Sequence, residues 1–198
     1  MLDRGPPAGG QQREYTIAAE GLVLVPQVPA HAEAMFAVLS DPAIYEFENA
    51  PPPSVEWLRE KFRRLEARRS PDGREAWLNW VIRLPTGELA GYVQATLFGE
   101  GRAAVAYELA SAHWGRGIAR RAVAAMMGEL SVHYGVRDFT AVLKRANFRS
   151  RRLLERLGFA PGPDEGIEVE EMRMRFAPGG SVGQAIPRDH RTFDPGSG

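Results

Sequence analysis

The segment from Ser111 to Arg121, with the sequence SAHWGRGIARR, has the residue types and spacing of an anion-binding loop. Gly115 and Gly117 precede an apolar stripe of helical period, and glycines there let successive backbone N–H groups converge on one anion. Three arginines lie at the same helix start: Arg116, Arg120 and Arg121. Because the positive end of a helix dipole disfavours cations, a bound phosphate would offset their repulsion. A glycine-bearing turn with solvated arginines is the alternative, and the spacing alone does not separate the two.

Glu108 lies near the end of a predicted strand, just before this loop. It shares a strand face with Ala104, Ala106 and Ala110, so its carboxylate either faces water or lines a space left open for a ligand. Burial favours the neutral form of a carboxyl group, which suits a general base that takes a proton near neutrality. A solvent-facing or arginine-paired glutamate is the alternative. The neighbouring loop favours the catalytic interpretation.

The elements that position these residues are predicted from apolar periodicity. Apolar runs predict strands at 22–25, 76–84, 89–98, 103–109 and 138–143, and a last strand at 167–176 with a bulge at 170–171. Helical spacing predicts helices at 30–39, after the N-cap Ser54, over 119–130, and from the N-cap Asn147 to Gly158. Two helices, three strands and then helix–strand–helix–strand indicate an α/β fold with one mixed central sheet.

The length of 198 residues favours one domain, expected over residues 20–176. A flexible N-terminal tail of residues 1–19 and a mobile C-terminal tail of residues 177–198 are predicted, because both are rich in Gly and Pro and poor in apolar side chains. The sequence leaves open whether the protein is a monomer or a homodimer.

Composition excludes several classes of function. The chain has no cysteine, which excludes disulfides, thiolate zinc sites and a cysteine nucleophile. Its 25 Lys and Arg residues balance 25 Asp and Glu residues, so no nucleic-acid partner is expected. The four histidines lack the spacing of metal ligands, and no metal is predicted. No apolar run is long enough for a membrane span or a signal peptide, so we expect a cytoplasmic protein without a membrane partner.

The segment HWGRGIARRAV resembles the acyl-CoA pyrophosphate loop of the GNAT superfamily of N-acyltransferases, Gln/Arg-x-x-Gly-x-Gly/Ala. Gly117, Ile118 and Ala119 occupy its last three places. Trp114 stands in the Gln/Arg place, which resembles the branch that includes the ribosomal-protein-alanine N-acetyltransferases. The strand at 107–109 and the N-x-x-S…L-G-F pattern of residues 147–159 resemble that branch as well.

The resemblance implies a GNAT-like, mostly antiparallel sheet flanked by helices, with acetyl-CoA as cosubstrate. Glu108 would deprotonate the amine, commonly through a water molecule. Residues 109–111 would pair with the pantetheine, and their N–H groups would stabilise the tetrahedral oxyanion. The expected acetyl-CoA-binding residues are Leu109, Ala110, Ser111, Trp114, Gly115, Arg116, Gly117, Ile118, Ala119, Arg120 and Asn147.

One position departs from the family pattern. Many members have a tyrosine seven residues after the motif asparagine, where it protonates the departing CoA thiolate, and here Leu154 stands in that place. Ser150 lies on the same helix side as the leucines at 153–157. Its hydroxyl either replaces the tyrosine as proton donor or bonds back to the Ala146 carbonyl.

The predicted function is N-acetyltransfer from acetyl-CoA directly to a primary amine, since no cysteine is present to form a thioester intermediate. The acceptor is either a small molecule or a protein N-terminus. A catalytically silent acyl-CoA-binding regulatory module is the alternative, favoured by Leu154 and disfavoured by Glu108.

Surface charges near the predicted site have two interpretations each. Glu46 and Glu48 could attract a cationic amine, or they are chance surface acids. Four arginines on the last helix are either solvated or contact the CoA 3′-phosphate: Arg145, Arg149, Arg152 and Arg156.

Overall fold

The computed structural model describes residues 16–47 and 49–177, which form one sheet of eight strands with four α-helices. The strands are β1 Ile17–Ala19, β2 Leu22–Pro26, β3 Ala76–Arg83, β4 Leu89–Gly99, β5 Arg102–Leu109, β6 Asp138–Lys144, β7 Ala160–Pro161 and β8 Glu171–Phe176. The helices are α1 Ala32–Leu39, α2 Val55–Leu65, α3 Ile118–Tyr134 and α4 Phe148–Arg156. The strand order is β1-β2-β3-β4-β5-β6-β8-β7, and only β5 and β6 pair in parallel among them. The predicted mixed, mostly antiparallel sheet is confirmed.

The predicted N-terminal boundary at residue 20 is wrong by one short strand. Ile17 pairs with Leu24 across β1 and β2, and its side chain is buried because it extends the apolar face of β2 into the core. The remainder of the predicted tails, residues 1–15 and 178–198, lies outside the described residues.

The last strand is shorter than predicted. It begins at Glu171, because the Glu171 N–H donates to the Glu168 carbonyl and closes a turn there. The change of apolar parity near residue 170 therefore marks the end of a turn, and the predicted bulge is wrong.

The helices cover both faces of the sheet. Helices α1 and α2 pack against one face, around Met35, Leu58 and Phe62. Helices α3 and α4 pack against the other, where the apolar stripe of α3 meets the strands. The buried residues of that stripe are Ile118, Ala119, Ala122, Val123, Met126, Met127 and Leu130. Ser54 and Asn147 accept backbone N–H groups as N-caps of α2 and α4, as predicted.

The sheet opens between its two parallel strands. Pairing of β5 with β6 runs from Arg102↔Asp138 to Ala104↔Thr140 and stops there. Beyond that point β5 continues to Leu109 beside β4, while β6 continues to Lys144 beside β8. The carboxyl ends of the two strands therefore diverge, and we name this opening the β5–β6 gap. Crevices at the carboxyl ends of strands are common ligand sites in α/β sheets.

Candidate active site

The loop between β5 and α3 has the backbone geometry of an anion-binding site. Gly115 and Gly117 have φ angles of +74° and +72°, which are left-handed values that favour glycine. Gly117 is the N-cap residue of α3 and supplies no side-chain acceptor to the first turn. Free N–H groups at the positive end of a helix bind anions well. The loop therefore fits the phosphates of a nucleotide cofactor.

Arg121 braces this loop from within. Its Nη1 donates to the Arg116 carbonyl at 3.2 Å, and the same nitrogen lies 3.1 Å from the position a Cβ would take at Gly117. A side chain at residue 117 would therefore displace Arg121 as well as strain the backbone. Arg121 therefore stabilises the turn. Of the three arginines at the helix start, it is the one that already donates a hydrogen bond to the loop backbone.

A buried histidine orients a second arginine of the loop. His113 is 5% exposed, with Nδ1 at 3.2 Å from Arg116 Nη1 and Nε2 at 3.0 Å from Glu88 Oε1. A guanidinium only donates hydrogen bonds, so Nδ1 accepts and the ring proton is assigned to Nε2, which donates to Glu88. Neither His113 nor Glu88 was predicted to contact the loop arginines, because Glu88 lies 25 positions before His113 and no local sequence pattern connects them.

The backbone N–H groups predicted to face the cofactor divide into two sets. The Ala110 N–H donates to the Ala90 carbonyl at 2.9 Å, and the Ser111 N–H donates to Asp41 Oδ2 at 2.8 Å. Since bonds alternate along an antiparallel pair, the bond from Ala110 turns the Leu109 N–H away from β4, toward the β5–β6 gap. The Leu109 N–H therefore points into the gap, whereas the N–H groups of Ala110 and Ser111 form hydrogen bonds within the protein.

Asp41 ties the loop to the segment after α1. Hydrogen bonds from the hydroxyl and then the backbone N–H of Ser111 hold the pKa of Asp41 below its ordinary value. Its Oδ1 also accepts the Ala43 N–H at 3.0 Å, which caps the short 3₁₀ turn Pro42–Tyr45. No local pattern in the sequence indicates that Asp41 meets Ser111, because the two residues are 70 positions apart.

The tryptophan of the loop motif is fixed on two sides. Trp114 Nε1 donates to the Leu109 carbonyl at 2.9 Å, and Arg149 Cζ lies 3.9 Å from the centroid of the ring. Arg149 also donates to Glu46 Oε2 at 2.5 Å. Arg149 is therefore not a merely solvated member of the α4 arginines. Glu46 is ion-paired with it, although the Glu46 side chain stays 56% exposed. Glu48 lies outside the described residues.

A pocket of about 390 Å³ lies on the face of the sheet that α1 and α2 cover, between the strands and α2. Glu108 lines it from β5. Three carboxamide residues from β3, β4 and the segment after β2 line the same pocket: Gln27, Asn79 and Gln94. The apolar wall includes Pro51, Pro52, Pro53, Trp57, Leu58 and Phe62. The pocket can therefore enclose a small polar group next to Glu108.

Tyr45 is a further member of this pocket that the sequence did not indicate. Its hydroxyl donates to the Leu39 carbonyl at 2.8 Å. Burial first, and then the negative charges of Glu108 and Asp41, raise the pKa of Tyr45. The phenol therefore stays neutral and presents a hydroxyl rather than a second negative charge beside Glu108.

The predicted helix residues lie where α4 begins. Asn147 Oδ1 accepts the Ser150 N–H at 3.0 Å, so the amide oxygen serves as the cap. The Ser150 carbonyl accepts a hydrogen bond from the Tyr107 hydroxyl at 3.5 Å. Among the described residues, the Ser150 hydroxyl makes no bond to the Ala146 carbonyl, so that alternative is not seen. Leu154 is 1% exposed within the main core.

Residues 16–47 and 49–177 meet the requirements of neither a metal-ligand cluster nor a membrane-spanning helix. No group of three or more His, Cys, Asp or Glu side chains there could hold a metal ion. No helix in that part of the chain is long and apolar enough to cross a membrane.

Comparison with known proteins identifies the family. The family described as "Acetyltransferase (GNAT) domain" matches residues 21–160. The chain belongs to this family of acetyltransferases. A search of curated protein sequences finds no significant match. The resemblance predicted from the loop motif is confirmed for the family.

Solved GNAT structures share the fold. RimJ of Mycobacterium smegmatis, in complex with CoA-disulfide, has a TM-score of 0.70 and 21% identity, covering 83% of this chain and 88% of that one. The ribosomal-protein-S5-alanine acetyltransferase of Vibrio fischeri has a TM-score of 0.70 and 16% identity, covering 82% and 96%. The spermidine N-acetyltransferase of Vibrio cholerae, in complex with CoA and spermine, has a TM-score of 0.67 and 17% identity, covering 80% and 96%. The GNAT neighbours therefore include enzymes named for protein and for polyamine acceptors.

Proposed function

We propose that this GNAT protein transfers the acetyl group of acetyl-CoA to a primary amine in one direct step. The observation that carries the proposal is that the end of β5 reaches both the pocket and the β5–β6 gap. Glu108 lines the pocket on one face of the sheet, while the Leu109 N–H points to the β5–β6 gap. An amine in the pocket and a thioester in the gap would meet at these two consecutive residues.

The loop before α3 fits the phosphates of acetyl-CoA. Its two glycines have left-handed φ angles, the first turn of α3 has no side-chain cap, and Arg116 and Arg120 add positive charge. The residues we propose for cofactor binding are Leu109, Trp114, Gly115, Arg116, Gly117, Ile118, Ala119, Arg120 and Asn147. Acetyl-CoA supplies the acetyl group as a thioester, which needs no metal for its transfer. Ala110 and Ser111 hold the loop in place through their N–H bonds.

Glu108 is the proposed general base. It would accept a proton from the amine, directly or through a water molecule, and so leave the nitrogen free to attack. Because the chain has no cysteine, a thioester intermediate on the protein has no nucleophile. The Leu109 N–H would stabilise the oxyanion that forms at the thioester carbonyl.

A catalytically silent acyl-CoA-binding module is the second candidate. The core burial of Leu154 favours it, because this side chain offers no proton donor where many family members have tyrosine.

The acceptor of the proposed enzyme is a small molecule or a protein N-terminus, and the pocket volume admits one residue of a peptide as well as a small amine.

Two measurements test the proposal together. The first is the melting temperature with and without acetyl-CoA, since a ligand at 100 times its Kd adds about 2.7 kcal/mol to stability. The second is CoA release with a panel of amines and peptides. A thermal shift without turnover would favour the silent module, and the absence of any shift would exclude acetyl-CoA as the ligand.

The Glu108→Gln variant tests the base. We expect the rate to fall by about 10²–10⁴-fold without weaker acetyl-CoA binding. Glu66→Gln, at an exposed position after α2, is the matched control and should keep wild-type activity. Equal activity of Glu108→Gln and the control across the pH range would remove Glu108 from the mechanism.

A further inference from the structure

Tyr107 and Glu108 are consecutive residues whose side chains point to opposite faces of β5. Glu108 lines the pocket on the α2 side of the sheet. Tyr107 packs against the main core on the α3 side, and its hydroxyl reaches the carbonyl of Ser150 in α4. The end of β5 therefore carries a carboxylate on one face of the sheet and a phenol on the other, at consecutive positions.

The contact between Tyr107 and Ser150 spans the β5–β6 gap. Tyr107 belongs to β5, whereas α4 follows β6, and these strands separate after Ala104. The two residues are 43 positions apart in the chain, and their hydrogen bond connects the two sides of the opening. A ligand that pairs with the Leu109 N–H would therefore lie next to the Tyr107 hydroxyl.

The hydroxyl can exchange its present acceptor at little cost. Its distance of 3.5 Å to the Ser150 carbonyl is at the outer limit of a hydrogen bond. That carbonyl lies within α4, where the i→i−4 pattern already gives it an N–H partner. Loss of the phenol hydrogen bond thus leaves no buried acceptor without a donor.

We propose that the Tyr107 hydroxyl donates a hydrogen bond to the sulfur of acetyl-CoA as the carbon–sulfur bond breaks. The inference rests on the proposed function and adds a donor that the motif did not assign. The amine nitrogen bonds to the carbonyl carbon, and its proton passes to Glu108. The carbon–sulfur bond then breaks, and its electron pair stays on sulfur as a thiolate, which the phenol stabilises while keeping its own proton.

The protonation of Tyr107 suits this role. Burial, against a smaller opposite effect of Ser150, raises the pKa of Tyr107 to about 12. A phenol is a donor only below its pKa, so Tyr107 keeps its proton at every pH where the protein would be assayed. A thiol with a pKa of about 8.5 leaves readily as the thiolate, so complete proton transfer is not required.

The test is the single-turnover rate of CoA formation by Tyr107→Phe, which removes one oxygen atom and keeps the ring in the core. We expect this rate to fall by about 10- to 100-fold, the effect of one hydrogen bond to a charged group. The Kd for acetyl-CoA should stay within about twofold, because the interaction strengthens only in the transition state. The loss should be the same at pH 7 and pH 9.5.

Two further variants complete the experiment. Tyr134→Phe, at a partly exposed position at the far end of α3, is the matched control and should behave as wild type. Ser150→Ala keeps the backbone carbonyl and removes only the serine hydroxyl, and we expect less than a threefold change. A loss in Ser150→Ala without a loss in Tyr107→Phe would assign the donor to Ser150 and overturn the proposal.

The remaining outcomes are also decisive. An unchanged rate in Tyr107→Phe overturns the proposal, and so does a loss of acetyl-CoA binding or of the folded state, since either would make the tyrosine structural. Failure of the wild-type protein to bind or use acetyl-CoA would instead overturn the proposed function, and the wild-type thermal shift reports this separately.

Discussion

The carboxylate of Asp41 accepts the backbone N–H of Ser111 at 2.8 Å, across 70 positions of the chain. Asp41 begins the turn that carries Tyr45 to the acceptor pocket, and Ser111 begins the loop that we propose for acetyl-CoA. The same segment makes a second link through Glu46, which pairs with Arg149. The segment thus contacts both proposed sites, so a ligand that orders one is expected to affect the other.

The first prediction concerns Asp41→Ala. We expect the Kd for acetyl-CoA to rise by about 2- to 10-fold, because the loop loses the acceptor for its first N–H. Asp72→Ala is the matched control, since Asp72 holds a turn near Ser70 by similar bonds but lies away from the loop. Calorimetric titration of both variants with acetyl-CoA measures the difference, and equal affinities would contradict the link.

The pH dependence of stability follows from the lowered pKa of Asp41. A carboxyl group whose pKa is lower in the folded state contributes stability above its ordinary value, here 3.8, and loses that contribution as the pH falls through its folded value. Asp41→Ala should therefore be less stable than wild type at pH 7. The two free energies of unfolding, from urea titrations, should converge below pH 3.8. A difference that stays constant down to the acid transition would show that the charge of Asp41 does not contribute.

Gly117→Val tests the loop. Valine at a φ of +72° costs about 1–2 kcal/mol in backbone strain, and its side chain would meet the Arg121 guanidinium. We expect the variant to fold and to lose the thermal shift with acetyl-CoA. Gly73→Val is a close control, because Gly73 has a φ of +70° and no neighbouring atom within 4 Å of the position its Cβ would take. Retained binding in Gly117→Val would mean that the loop is only a turn.

Arg149→Ala tests the contact with Trp114. The guanidinium covers the indole ring and pairs with Glu46, and the two exposed interactions together contribute about 1 kcal/mol. We expect a decrease of that size in the free energy of unfolding. Arg152→Ala, at an exposed position on the same helix, should change it by less than about 0.5 kcal/mol. Equal values for the two variants would show that the stacked arginine adds nothing to stability.

The local signals in the sequence were sufficient for the elements and for the loop. Glycines at left-handed positions, an apolar stripe of helical period and an N-cap asparagine each act within a few residues, so Gly117, α3 and Asn147 could be predicted from neighbouring residues alone. The strand face it shares with three alanines pointed to Glu108, and the family motif added the cofactor and a role for Glu108 as the base. The shorter last strand was missed because the bond between Glu171 and Glu168 is a turn that apolar parity does not encode.

Contacts between distant segments of the chain were decided only by the tertiary structure. Asp41 meets Ser111, Tyr107 reaches Ser150, and Glu46 pairs with Arg149 at separations of 70, 43 and 103 positions. These pairs depend on how the helices are placed on the sheet and on the point where β5 and β6 separate. Neither property is set by the residues near any one partner, since strand divergence and helix placement result from the packing of the whole core.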